Sequence, residues 1–151
     1  MSTICRDTLV QCPPNRVFAV LANVERLGEF SDMTVAVRNG PQRPALVGDH
    51  FEQVVKVLGI EIETKWEVME VVPDHLIRFE GHSAGDGRAT LTHRVVPEGT
   101  GSRVTFDVEY DPPLGILGDI ADKLVFERRH EHEAEQLLAR LRELCETPTV
   151  S

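Results

Sequence analysis

Cysteine is scarce in this chain and long apolar runs are absent. The three cysteines, Cys5, Cys12 and Cys145, stand at unrelated spacings. An odd count with no C-x-x-C pair encodes neither a disulfide framework nor a zinc site. Reduced thiols in a cytosol are the plain expectation. The apolar runs are a handful of residues, far short of the roughly 20 that span a bilayer, so no stable membrane insertion is expected. No basic, apolar, small-residue segment opens the chain, so no secretory signal is expected and the expected location is cytoplasmic. No serine lies in a Gly-x-Ser-x-Gly context, and no glycine-rich loop leads a strand into a helix. Nucleophilic and nucleotide-dependent chemistries therefore lack support. His130-Glu131-His132-Glu133 is not a zinc-protease motif, because Ala134 occupies the position of its second histidine. Neither a metal nor a cofactor is expected.

What is present is ordinary for a globule: 151 residues, 41% hydrophobic and 27% charged. That length suits one domain, taken as residues 1–146, followed by a flexible tail at 147–151. The net charge of −9 repels phosphate backbones and anionic lipid surfaces, so nucleic acid is not an expected partner.

Residues 3–11 read as a strand that stops at Cys12-Pro13-Pro14, where proline ends a strand but suits the first turn of a helix. Val17, Val20, Leu21 and Val24 then recur at helical spacing, and a second short helix follows, with Gly28 near its end. Strands come next in series. Met33, Val35 and Val37 alternate up to the turn Asn39-Gly40-Pro41. Phe51, Gln53, Val55 and Val57 share one face. Ile60, Ile62, Thr64, Trp66 and Val68 alternate with Glu61, Glu63, Lys65, Glu67 and Met69, the period-2 pattern of a sheet with one wet side. Ile77 and Phe79 point inward from the next strand. Ala89, Leu91, His93 and Val95 do so from another, and Val104, Phe106, Val108 and Tyr110 from the last. From Leu114 a helical pattern runs to about Glu146, a span of roughly 45 Å if unbroken.

The expected fold class is therefore α+β: a curved antiparallel sheet of about seven strands wrapped around a long C-terminal helix, with two short helices after the first strand. A strongly twisted sheet gripping one helix cannot fill its own concavity, so a pocket is the expected by-product.

Cys12-Pro13-Pro14-Asn15-Arg16-Val17-Phe18 followed by Leu21-Ala22-Asn23-Val24-Glu25-Arg26-Leu27 resembles the helix pair of the START-like (SRPBCC) superfamily. Within it, the closer resemblance is to the bacterial polyketide cyclase/dehydrase and lipid-transport group. Gly48-Asp49-His50-Phe51 resembles the group's strand start, and Val72-Pro73-Asp74 and Gly99-Thr100-Gly101 its hairpins. Gly115-Ile116-Leu117-Gly118 and Leu137-Leu138-Ala139-Arg140-Leu141 resemble its terminal helix. The likeness covers residues 3–146 and departs at Phe30, where the group often carries tryptophan. It implies the helix-grip fold and a small hydrophobic ligand such as a lipid, a quinone or a polyketide-like molecule. Its motifs are turns, caps and core positions, which carry no chemistry of their own.

The candidate ligand-binding residues on the sheet are Phe51, Gln53, Trp66, Phe79, Leu91, Phe106 and Tyr110. Phe30 is the candidate from the short helices, and Leu117, Ile120 and Leu124 are those from the terminal helix. His93, Tyr110 and Glu127 are candidate acid/base groups. An inward histidine is more often a hydrogen-bonded core residue, and Glu127 and His130, three apart on a helix, can simply pair with each other. Glu127, His130 and Glu131 are alternatively expected as a polar end of the cavity. Three functions follow as expectations. The first is binding or transport of a small hydrophobic molecule by a monomer or homodimer. The second is a polyketide cyclase, aromatase or dehydratase activity. The third is a stress-type protein that binds a partner and keeps a vestigial pocket.

Overall fold

A computed structural model describes residues 2–57, 59–84, 86–111 and 123–147, without side-chain detail for 123–126. Seven strands form one antiparallel sheet: β1 (Ser2–Val10), β2 (Thr34–Arg38), β3 (His50–Val57), β4 (Ile60–Val72), β5 (Leu76–Ser83), β6 (Gly87–Glu98) and β7 (Gly101–Asp111). Their spatial order is β1-β7-β6-β5-β4-β3-β2, so β2 to β7 form a meander and β1 returns to pair with β7. Between β1 and β2 lie α1 (Pro14–Leu21), a 3-10 turn (Val24–Arg26) and α2 (Leu27–Phe30). The terminal helix α3 spans Lys123–Glu146. Residues 112–122, where the helical pattern begins in sequence, lie outside the described residues, as do residues 148–151. Among the described residues no helix is long and apolar enough to cross a membrane.

Local chemistry explains the joints. Pro14 opens α1 at a position whose backbone N–H would have no helical partner anyway. Asn39, Asp74 and Asp86 sit in turns at φ of 56°, 64° and 60°. Asn and Asp tolerate this left-handed region because their short side chains hydrogen-bond locally. Ser102, fully buried on β7, donates its hydroxyl to the carbonyl of Cys12 at 2.7 Å and anchors the chain where β1 gives way to α1.

The strand alternation holds across β3 to β7. Phe51, Gln53, Val55 and Val57 are buried together, and Trp66, Val68, Ile77, Phe79, Val95, Val104, Phe106 and Tyr110 join them. Two bulges interrupt the period. One, between Val68 and Glu70, leaves Met69 exposed and lets Val71 turn inward. The other, between Thr34 and Ala36, corrects the reading of β2: Met33 and Val37 pack on the core, but Val35 is 56% exposed. An extra residue at a bulge turns its side chain to the other face, which simple alternation cannot anticipate.

Helix α3 presents Ala134, Leu137, Leu138, Leu141 and Cys145 to the concave face, all buried at helical spacing. Each large apolar side chain buried there stabilises by about 1.5–3 kcal/mol. The rims are ionic. Arg6 of β1 meets Glu135 at 3.3 Å and Glu131 at 3.6 Å, and Arg140 meets Asp32 at 2.8 Å. Exposed pairs of this kind contribute about 0–1 kcal/mol each, so they orient the helix while the apolar stripe holds it.

Candidate functional site

Between the concave face of the sheet, the two short helices and α3 lies a cavity of about 150 Å³. Its floor is a row of rings, one from each of five adjacent strands: Phe51, Trp66, Phe79, His93 and Phe106. Phe51 stacks on Trp66 with centroids 6.5 Å apart, and Phe79 meets both edge-on at 5.7 and 6.4 Å. His93 stands 6.4 Å from Phe79, edge to face, and 5.3 Å from Phe106. The opposite wall is Ala134 and Leu137 of α3, with Leu27 and Phe30 closing one end.

Polar residues of the lining include Asn23, Thr64, Arg88, Asp111 and Glu133, and three further polar features bear on the chemistry of the cavity. The first is an ordered chain running off Trp66. The indole N–H donates to Oε1 of Gln53 at 2.9 Å, Nε2 of Gln53 donates to Oγ1 of Thr34 at 2.8 Å, and that hydroxyl donates to Oγ of Ser31 at 2.7 Å. An indole can only donate, so its contact fixes which way the Gln53 amide faces. Ser31, at the end of the chain, lies on the cavity wall.

The second is His93 itself. It is 2% exposed, and among the described residues its Nδ1 has no hydrogen-bond partner. Burial pushes its pKa down to about 4, with no nearby charge contributing, so the ring is neutral at pH 7.

The third is Tyr110 with His130, whose rings lie 4.8 Å apart on the wall. Burial lowers His130 to about 4. Burial, reinforced by the Glu127 carboxylate, raises Tyr110 to about 12 against a hydrogen bond with Ser2. Both groups are therefore neutral as well. The cavity offers two neutral imidazoles and a neutral phenol at physiological pH.

The structure brings Phe30, Phe51, Gln53, Trp66, Phe79, Leu91, Phe106, Tyr110 and His93 together on this wall. Glu127 is not part of it. Its Oε1 accepts from the Ser2 hydroxyl at 2.7 Å, and its charge bears on the cavity wall through Tyr110. Glu131 likewise turns outward to Arg6, and of the three helix residues expected as a polar end only His130 lines the cavity. Leu117 and Ile120, and the side chain of Leu124, lie outside the described residues. Among the wall residues not singled out from sequence are Ser31, Arg88 and Glu133, the last 6% exposed and paired with Arg129 at 2.8 Å. The i, i+4 spacing of Arg129 and Glu133 was a usable signal for their pairing. Among the described residues no group of three or more His, Cys, Asp or Glu side chains is placed to hold a metal.

Comparison with known proteins accords with this geometry. The chain is 26% identical to the toxin Rv0910 of Mycobacterium tuberculosis over 113 residues, which is 74% of this chain and 78% of that one. TTHA0849 from Thermus thermophilus superposes with a TM-score of 0.79 at 22% identity, covering 95% of this chain and 97% of that one. The Zhui aromatase/cyclase from Streptomyces sp. R1128 does so with a TM-score of 0.73 at 16% identity, covering 96% and 93%. At these identities the two superpositions establish the helix-grip fold and nothing finer. Residues 1–146 match the family model for polyketide cyclase/dehydrase and lipid transport, and the chain belongs to that family.

Proposed function

We propose that this protein binds a small hydrophobic molecule in the cavity between the sheet and α3. The observation that carries the reading is the row of five rings, one from each of five neighbouring strands, lining one cavity opposite Ala134 and Leu137 of the helix. Protein interiors are close-packed, and an apolar void of this size loses dispersion contacts that a ligand restores. The three cysteines are free, which fits a reducing cytoplasm.

Trp66 is the one tryptophan of the chain and lies on the cavity wall, so its emission reports directly on occupancy. Titration with the neutral apolar probe toluene should change Trp66 fluorescence saturably, and native mass spectrometry of gently isolated protein should show a bound hydrophobic passenger. Protein that isolates empty and leaves the probe unbound would defeat the proposal.

Acid–base catalysis of a cyclase or dehydratase type is the second reading. It is supported by His93 and Tyr110 standing neutral on one cavity wall, since a neutral imidazole can take a proton and a neutral phenol can give one. Offered a poly-β-ketone substrate, the protein should accelerate its cyclisation, and His93→Ala should lower the rate by about 10²–10⁴-fold while the fold survives. A rate unchanged in that variant removes the imidazole from the reaction.

A further inference from the structure

The binding reading leaves the ligand's class open, and His93 narrows it. Buried polar atoms are almost always hydrogen-bonded, yet Nδ1 of His93 has no partner among the described residues. An orphaned group of this kind is destabilising, and among the described residues nothing around it supplies the missing partner. Its sheet neighbours are Ile77 and Phe106, and the ring of Phe79 flanks it. The imidazole lines the cavity with Nδ1 itself shielded from the open space, so a ligand reaches that nitrogen on a turn of the ring.

Volume sets the second limit. About 150 Å³ is the size of the engineered apolar cavity that stays dry and holds benzene, and it lies well below the roughly 300–1,000 Å³ of sites for drug-sized ligands. One aromatic ring fits, and edge-to-face contacts with Phe79 and Phe106 favour a flat one. Charge sets the third. Among the described residues the neighbours of His93 are Ile77, Phe79 and Phe106 and no charged group bears on it, so an ionised ligand group placed against it would be desolvated without compensation. A hydroxyl is the group that suits a neutral imidazole in either tautomer, because it can both donate and accept.

We propose that the cavity selects an uncharged, single-ring aromatic molecule bearing a hydroxyl group, with His93 as the residue that reads the hydroxyl. The proposal rests on the binding reading and fails separately from it. Phenol and toluene have nearly the same shape and differ in the hydroxyl, and benzoate adds a charge.

Calorimetric titration of the wild-type protein and of His93→Leu with these three probes tests it. Wild-type protein should bind phenol and bind benzoate at least about tenfold more weakly. His93→Leu should lose about fivefold in phenol affinity, the equivalent of one net hydrogen bond, and keep or gain affinity for toluene. Phenol binding unaffected by the substitution, or benzoate binding as tightly as phenol, would overturn the inference while leaving the cavity a binding site. Binding of N-phenyl-1-naphthylamine with neither phenol nor toluene bound would overturn the size class alone. No binding of any probe would sink both proposals. Should His93→Leu fail to fold, nitrogen-15 spectra of the wild-type imidazoles decide: phenol, and not toluene, must shift the His93 ring nitrogens.

Discussion

Trp66 lies directly over Gly81, its cross-strand partner on β5, so closely that a β-carbon on residue 81 would stand 2.7 Å from Cε3 of the indole. Thr64 closes the same spot from the side, at 2.8 Å. The glycine is there to let the ring lie flat against the strand, where it forms the cavity floor. Gly81→Ala should therefore push the indole out of register and destabilise the fold by about 1–3 kcal/mol, the range for overpacking a filled site. Thermal unfolding and a shift of tryptophan emission check this together. An unchanged emission maximum would mean that the sheet gives way and the indole stays put.

The chain Trp66–Gln53–Thr34–Ser31 makes a second outcome specific. Gln53→Leu keeps the volume near constant and removes both the acceptor for the indole N–H and the donor to Thr34. Gln53 is buried, so water cannot easily take its place. The expected loss is about 1–3 kcal/mol in urea unfolding, the cost of a stranded buried donor. A loss far below that range would indicate that the indole is hydrated through the cavity.

Much of this arrangement was legible in the residues themselves. Period-2 alternation placed Phe51, Trp66, Phe79, His93 and Phe106 on one face, because a strand's side-chain direction depends only on parity until a bulge intervenes. Val35 was misplaced for that reason: nothing in Thr34-Val35-Ala36 announces an extra residue in the pairing. The helix was harder. Spacing put Glu127, His130 and Glu131 near one side, but which of them enters the cavity depends on rotation against β1, fixed by the contacts of Ser2 and Arg6 across more than 120 residues of sequence. The cavity's volume was not legible at all, since it is the small remainder between two curved surfaces.

The depressed basicity of His93 yields a pH effect with a definite sign. In the unfolded chain its pKa is near 6.5, and in the folded protein about 4. Between those values the unfolded state binds more protons, so stability rises with pH across the window and is lost as pH falls through it. By pH 4.5 the loss from His93 amounts to roughly 2–3 kcal/mol relative to pH 7. His130 is shifted in the same direction, and Asp49, held down at about 2 by the Arg43 guanidinium, loses its contribution only at lower pH. Urea unfolding at pH 7 and 4.5 should show the loss in wild-type protein and a smaller one in His93→Leu. Equal losses in the two proteins would mean that His93 charges in the folded state without difficulty.

Ala134 provides the test opposite in sign to Gly81. It is buried on α3 and lines the cavity from the helix side, facing the row of rings across space that is empty rather than occupied by an indole. Alanine and leucine are both strong helix formers, so Ala134→Leu alters the helix itself little. The added carbons enter the void and gain burial and dispersion contacts, for a stabilisation of about 0.5–2 kcal/mol. The same atoms take volume from a cavity that has about 150 Å³ in all. Ala134→Leu should thus raise the melting temperature and abolish the response of Trp66 to toluene. A destabilised variant that still binds the probe would show that position 134 meets packed atoms, and would move the binding site away from the centre of α3.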